Sequence, residues 1–278
     1  GIFTVETTAK NAQGVYLHIG KAEKGTFELS DTVTAQVCEQ TRQSTMRNHT
    51  SAHLMQAALR KVLGTHVEQA GQLVNAERMR FDFTHFSALT PEEIKEVEDL
   101  VNEEILKGED VVIKEMPIDE AKKLGAMALF GEKYGDVVRV VKAGDFSTEL
   151  CGGTHVSNTS KIGLFRIVSE SSVAAGVRRI EAVTGRAVLS LLDQCEQTIK
   201  NTASALKAGK ADLADKARAV AAELKEKDRM IESLEAKLAG GQLDELIAKA
   251  EDIKGIKLVT GKLNVDEPDA LRSAADQI

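Results

Sequence analysis

The chain has 278 residues, of which 42% are hydrophobic, 28% charged and 4% aromatic, with a formal net charge of −7. That length suits two domains or one domain with an appendage, and no apolar run approaches the roughly 18 residues of a membrane-spanning helix, so no membrane partner is expected. The three cysteines, Cys38, Cys151 and Cys195, are too few and too scattered for a disulfide framework. A reducing, cytoplasmic setting is therefore expected, in which a cysteine is buried, ligating or catalytic.

The acidic balance argues against a nucleic-acid partner. Its distribution softens that, because residues 151–186 carry Lys161, Arg166, Arg178, Arg179 and Arg186 against only Glu170 and Glu181. The opening Gly1-Ile2-Phe3-Thr4-Val5 has neither the basic nor the apolar region of a signal peptide. It enters a strand-like run directly, as an internal piece of a longer chain would.

Residues 1–45 read as part of a small β-barrel, incomplete at its N-terminal end. Strands are expected at 15–19, 27–29 and 31–37, the last from its alternation of polar and apolar residues, with a turn at 20–25. Residues 46–63 then switch to helical period: Leu54, Ala57, Ala58 and Val62 form a buried stripe that Gly64 ends. Strands follow at 72–74 and 78–83. Thr90-Pro91-Glu92-Glu93 is a capping box with proline at the first helical position, and Ile94, Val97, Val101 and Ile105 continue the helix to Gly108. A strand at 111–115, a short helix at 118–124, and strands at 137–141, 163–169 and 177–183 complete residues 46–186. The interleaving predicts a mixed, two-layer α+β domain.

From Ala187 the spacing of Val188, Leu192, Cys195, Ile199 and Leu206 becomes heptad-like. It resumes after a break at 208–210 with Leu213, Ala217, Val220, Leu224, Ile231, Leu234 and Leu238. Residues 187–239 thus read as a long antiparallel helical hairpin, its helices pairing with each other or with a partner. Gly240-Gly241 reads as a hinge, 243–253 as a helix, 256–263 as a strand and 268–278 as a helix. Together, residues 240–278 are expected to open a truncated, small α/β domain. Cys38, on a strand, and Cys195, on the seam, read as small buried hydrophobes, and His18, His66 and His85 as ordinary histidines.

Two pairs of residues carry potential chemistry. His49 and His53 stand at i, i+4, so on a helix both imidazoles leave one face. Alone, such a pair is more often two ordinary histidines, and Thr50 occupies the place of the glutamate that a zinc protease needs after its first histidine. Cys151 and His155 flank Gly152-Gly153, a tight loop. A buried cysteine in a turn is the plain alternative. Together the pairs make a four-ligand nitrogen and sulfur set of the kind Zn²⁺ prefers. Full coordination by all four implies a closed, structural site, whereas release of one opens a position for catalysis.

The runs NHTSAHL from Asn48, GAMALFGEKY from Gly125, GDFSTELCGGTH from Gly144 and GVRRIEAVTG from Gly176 resemble the editing half of bacterial alanyl-tRNA synthetases. The resemblance runs in order through essentially the whole chain. It implies hydrolysis of the ester of mischarged seryl- or glycyl-tRNA(Ala), with the tRNA(Ala) acceptor end as partner and His49, His53, Cys151 and His155 as zinc ligands. It further implies that Gln69 lies in the editing pocket, that residues 187–239 serve homo-oligomerisation and that residues 240–278 begin a tRNA-binding domain. The aminoacylation domain is missing, so ATP-dependent alanine activation belongs to the full-length enzyme and its remaining chain. The glycine-rich barrel motif expected before Gly14 is also missing.

Within that resemblance, Thr50 or Ser51 is expected either to offer a hydroxyl to a seryl side chain or to sit solvated at a helix start. Gln69 is expected to hydrogen-bond the amino acid, and Glu149 to brace a ligating histidine. Arg178 and Arg179 either contact acceptor-end phosphates or pair with Glu170 and Glu181 on a strand surface. Against the zinc-dependent deacylase stand two readings: a zinc-stabilised tRNA-binding and oligomerisation fragment without activity, and an unrelated metallohydrolase.

Overall fold

The computed structural model describes residues 1–127 and 135–262, which divide into two compact units, Gly1–Val188 and Leu189–Ile278. The fold is α+β, with several separate sheets.

The first unit begins with an antiparallel hairpin of β1 (Ile2–Lys10) and β2 (Tyr16–Lys24). The Asn11 carboxamide oxygen accepts hydrogen bonds from the backbone N–H groups of Gln13 and Val15, and Gly14 takes the left-handed conformation (φ 84°) that closes the turn. Among the described residues no barrel closes. The strands expected at 27–29 and 31–37 do not form, and Leu29, Val33 and Val37 are exposed. Alternation makes a strand only where a neighbouring ladder and a core receive it, and this hairpin offers no third ladder.

Helix α1 (Glu39–Leu63) starts well before the apolar stripe. Its first turns are Glu, Gln, Thr and Arg, which tolerate a helix without marking a buried face. His49 and His53 consequently lie in the body of the helix. Cys38 is its exposed N-cap rather than a buried strand residue. There follow β3 (Gln69–Val74), β4 (Met79–Thr84), α2 (Pro91–Lys107), β5 (Val111–Pro117), α3 (Ile118–Lys123), β6 (Val137–Ala143), β7 (Ser147–Leu150), a 3-10 turn at Thr159–Ile162, β8 (Phe165–Ala174) and β9 (Val177–Thr184). The expected capping box opens α2: the Thr90 hydroxyl accepts from the Glu93 N–H and the Glu93 carboxylate accepts from the Thr90 N–H.

Four strands in the order β3-β4-β9-β8 make one sheet, and β5-β6-β7 make another. Helices α1 and α2 pack on each other and across the first sheet. Phe81 and Phe83 of β4, Ile180 of β9, Leu54, Met55 and Leu59 of α1, and Val97 and Val101 of α2 are fully buried there. Each large side chain so buried contributes roughly 1.5–3 kcal/mol. Beside α3, Ala121, Val138, Val140 and Leu150 form a smaller core.

In the second unit, helix α4 (Arg186–Ala205), which begins in the first, is followed by α5 (Leu213–Ala248) and a short hairpin of β10 (Glu251–Ile253) and β11 (Ile256–Leu258). The heptad residues Leu192, Ile199, Leu224, Ile231, Leu234 and Leu238 are exposed. Among the described residues, then, α4 and α5 do not bury this seam against each other, and Cys195 on it is exposed. No hinge forms at Gly240-Gly241, because α5 runs straight through both glycines. Each costs about 1 kcal/mol against alanine, which a 36-residue helix absorbs. The helix expected at 243–253 ends at Ala248, and the one expected at 268–278 lies outside the described residues.

The β4–β9 ladder sets Asp82 opposite Arg179, whose Nε and Nη2 donate to the two carboxylate oxygens at 2.7 and 2.8 Å. This fork holds the Asp82 carboxyl below its ordinary range, against the opposing effect of burial. A depressed carboxylate pKa stabilises the fold above the unfolded-state value, and that stabilisation fades as pH falls through the folded-state value. Asp82→Asn is expected to cost about 1.5 kcal/mol at neutral pH, the low end for a charged hydrogen bond because Arg179 is partly solvated. In urea unfolding between pH 2 and 6, the gap between the two proteins should close as the solution is acidified below about pH 4.

Candidate metal centre

Helix α1 presents His49, Thr50 and His53 toward the loop that follows β7. His49, His53, Cys151 and His155 each offer a ligand atom there, and these atoms all lie within 4.8 Å of one another. Cys151 Sγ is 3.5 Å from His49 Nε2 and 3.3 Å from His155 Nε2. The imidazole centroids stand 4.3–5.3 Å apart. Both expected ligand pairs therefore meet at one place.

The loop reaches α1 because residue 153 is a glycine. A Cβ at Gly153 would collide with the His49 ring, whereas one at Gly152 would meet nothing within 4 Å. The Gly153 N–H also donates to Cys151 Sγ at 3.4 Å. Thr50, fully buried, ties the far side: its hydroxyl accepts from the Val156 N–H at 3.1 Å and lies 3.2 Å from His155 Nδ1. With Nδ1 engaged by Thr50, the His155 nitrogen facing Cys151 is Nε2.

Electrostatics prepare the cluster for a cation. Burial pushes the His53 imidazole down to about 3 and the His155 imidazole down to about 2, with neighbouring histidines and Arg139 adding to the effect. His49 is lowered by burial too, although a backbone hydrogen bond at Thr154 opposes this. Neutral imidazole is the form that ligates a metal. His53 Nδ1 lies 3.4 Å from Glu149 Oε2, yet it is a buried nitrogen without a well-aligned hydrogen bond. Burial raises the Glu149 carboxyl to about 8, despite a hydrogen bond from Ser147 at 3.1 Å and the Arg60 charge. A carboxylate behind a histidine is the arrangement that orients a metal-ligating imidazole, and a cation at the cluster would favour the ionised form of Glu149. The donor set, the neutral imidazoles and this buried pair fit a metal with nitrogen and sulfur ligands.

The other expected site residues have partners of their own or stand on neighbouring elements. Gln69 opens β3 opposite Phe83, and among the described residues no hydrogen bond joins its side chain to the cluster. Ser51 is buried, its hydroxyl donating to the Asn48 carbonyl. Arg178 forks onto Glu170 at 2.5 and 2.7 Å and Arg179 onto Asp82. His66 and His85, outside the cluster, share a ring-to-ring hydrogen bond of 2.9 Å.

One residue of the site escaped the sequence reading. Arg139 of β6 donates from Nη1 to the carbonyl oxygens of Cys151 and Gly153 at 2.6 and 2.7 Å. Its one signal was a lone arginine inside the valine run of residues 137–141.

A family described as the Threonyl and Alanyl tRNA synthetase second additional domain matches residues 138–181, a span that holds Arg139, Glu149, Cys151 and His155. Similar proteins include an alanine–tRNA ligase of Acetivibrio thermocellus, 52% identical over 97% of this chain and 31% of its own length. Alanine–tRNA ligase 1 of Lachnoclostridium phytofermentans is 49% identical over 99% of the chain and 31% of its own length. That of Bacillus velezensis is 45% identical over 100% and 32%. The chain spans about a third of the length of these relatives.

Because of the His49 contact, Gly153→Ala should take up far less added zinc than the unsubstituted chain, whereas Gly152→Ala should match it. Elemental analysis of the two purified, folded proteins checks this. Equal metal content in both would contradict it.

Proposed function

We propose, for a chain that is homologous to a segment of the alanine–tRNA ligases, that the cluster is a zinc centre of an editing site that hydrolyses mischarged seryl- or glycyl-tRNA(Ala). The observation that carries this is the convergence of His49, His53, Cys151 and His155 partly inside the stretch matched by a synthetase additional domain. Zinc, when held there, supplies Lewis acidity toward an ester carbonyl or a water.

The protein's own residues divide the remaining work. Thr50 acts through His155, since its hydroxyl is engaged by the ring and by the Val156 N–H. Glu149 sits behind His53 and orients it. Gln69 is assigned to hydrogen-bonding the misplaced amino acid. Arg178 and Arg179 serve acceptor-end phosphates only through donors that Glu170 and Asp82 leave free, because a guanidinium carries more N–H groups than one carboxylate takes. The exposed heptad seam suits assembly with a second copy. A cytoplasmic setting follows from the role in protein synthesis.

The test is deacylation of seryl-tRNA(Ala) by the intact chain and by Cys151→Ala. The intact chain should release serine well above the spontaneous rate, and the variant should fall to near that rate. An intact chain that binds zinc and tRNA without releasing serine would instead favour the fragment that only binds and assembles. Release of serine-like acids from small esters lacking tRNA would favour an unrelated hydrolase.

A further inference from the structure

The β6–β7 ladder pairs Val140 with Leu150 and Val141 with Glu149. One step further along the same register, Arg139 stands opposite Cys151, and the Cys151 N–H donates to the Arg139 carbonyl at 3.0 Å. Alternation along β6 sends Val138 and Val140 into the small core beside α3 and Val141 into the main core. Arg139 shares the face of Val141, so its side chain rises on the same side of the sheet as those of Glu149 and Cys151. From there its Nη1 reaches back to the carbonyl oxygens of Cys151 and Gly153.

These three bonds bracket the loop. The main chain of Arg139 fixes where the loop leaves the sheet, and its guanidinium gathers the two carbonyls that flank Gly152. Both carbonyls are thereby turned to one side, while the Cys151 thiol and the Gly153 N–H that donates to it are turned toward His49 and His155. Two glycines in a row otherwise leave a loop many conformations, and most of these would not bring the thiol to the histidines. A hydrogen bond to a charged donor is among the stronger ones, and two from one nitrogen hold a short loop at two points.

We propose that Arg139 is the positioning residue of the metal centre: its guanidinium holds the Cys151–Gly153 loop in the one shape that presents the thiol to the three histidines. It acts through the loop, by the two carbonyl oxygens it holds. The inference rests on the metal-centre reading above and deepens it.

Zinc affinity measured by competition with a chromogenic chelator, together with the absorption spectrum of the cobalt(II)-loaded 278-residue chain, tests this. Arg139→Gln should bind zinc about 10- to 100-fold more weakly, as loss of an outer partner of a metal site does. Its thiolate-to-cobalt charge-transfer band should weaken or shift. Arg139→Lys keeps the charge and reaches a single carbonyl, and should fall between the two. Far-UV circular dichroism of the metal-free proteins reports folding. Unchanged zinc affinity and an unchanged cobalt spectrum in folded Arg139→Gln would overturn the proposal. Were that variant not to fold, Arg139→Lys decides alone, with native values overturning the proposal and a weakened, shifted site supporting it. Failure of the unsubstituted chain to bind zinc would be a different result, one that removes the metal centre itself and Arg139's role with it.

Discussion

The structure depends on one close approach, that of the Gly153 backbone to the His49 ring. Two segments far apart in sequence must come within van der Waals contact there, and any side chain on residue 153 would keep them apart. Once they touch, the thiol and three imidazoles occupy one small volume. Burial there lowers the pKa of all three imidazoles, which favours their neutral form. Packing three histidines around a cysteine gains little as hydrophobic burial. It gains a great deal once a cation takes up the lone pairs.

The two sheets serve that approach in different ways. The larger one, with α1 and α2 across it, anchors α1 through Leu54, Met55 and Leu59, so the histidine-bearing face of the helix is fixed by the apolar residues on its other faces. The smaller one delivers the loop. Its register brings Glu149 to His53, then Cys151 to Arg139, in consecutive same-face positions of β7 and its continuation. Thr50 closes the remaining side by holding both His155 and the chain just beyond it. Support and ligand therefore alternate along short stretches, and a shift of one residue in the β6–β7 ladder would misplace the whole set.

What could be read from the sequence was local or periodic. The capping box at Thr90 was legible because its chemistry lies within four adjacent residues. The ligand pairs were legible because i, i+4 spacing and paired glycines announce geometry without tertiary information. The four-residue strand β7 was not, being short and largely polar. Residues 31–37 alternate like a strand but have no neighbour to pair with, and Gly240-Gly241 looks like a break but sits within a long helix. Arg139 illustrates the general limit. Its partners are backbone carbonyls, which have no residue identity, so no pattern of side chains could have pointed to them.

The groups around the four-residue cluster chiefly hold and orient its side chains and its loop. If the cluster holds zinc, these four side chains set its coordination shell. X-ray absorption at the zinc edge of the purified chain measures that directly. The expected first shell has one sulfur at about 2.3 Å and nitrogens at about 2.0–2.1 Å. A shell of oxygens with no sulfur, or protein that holds no zinc while remaining folded and active, would contradict it.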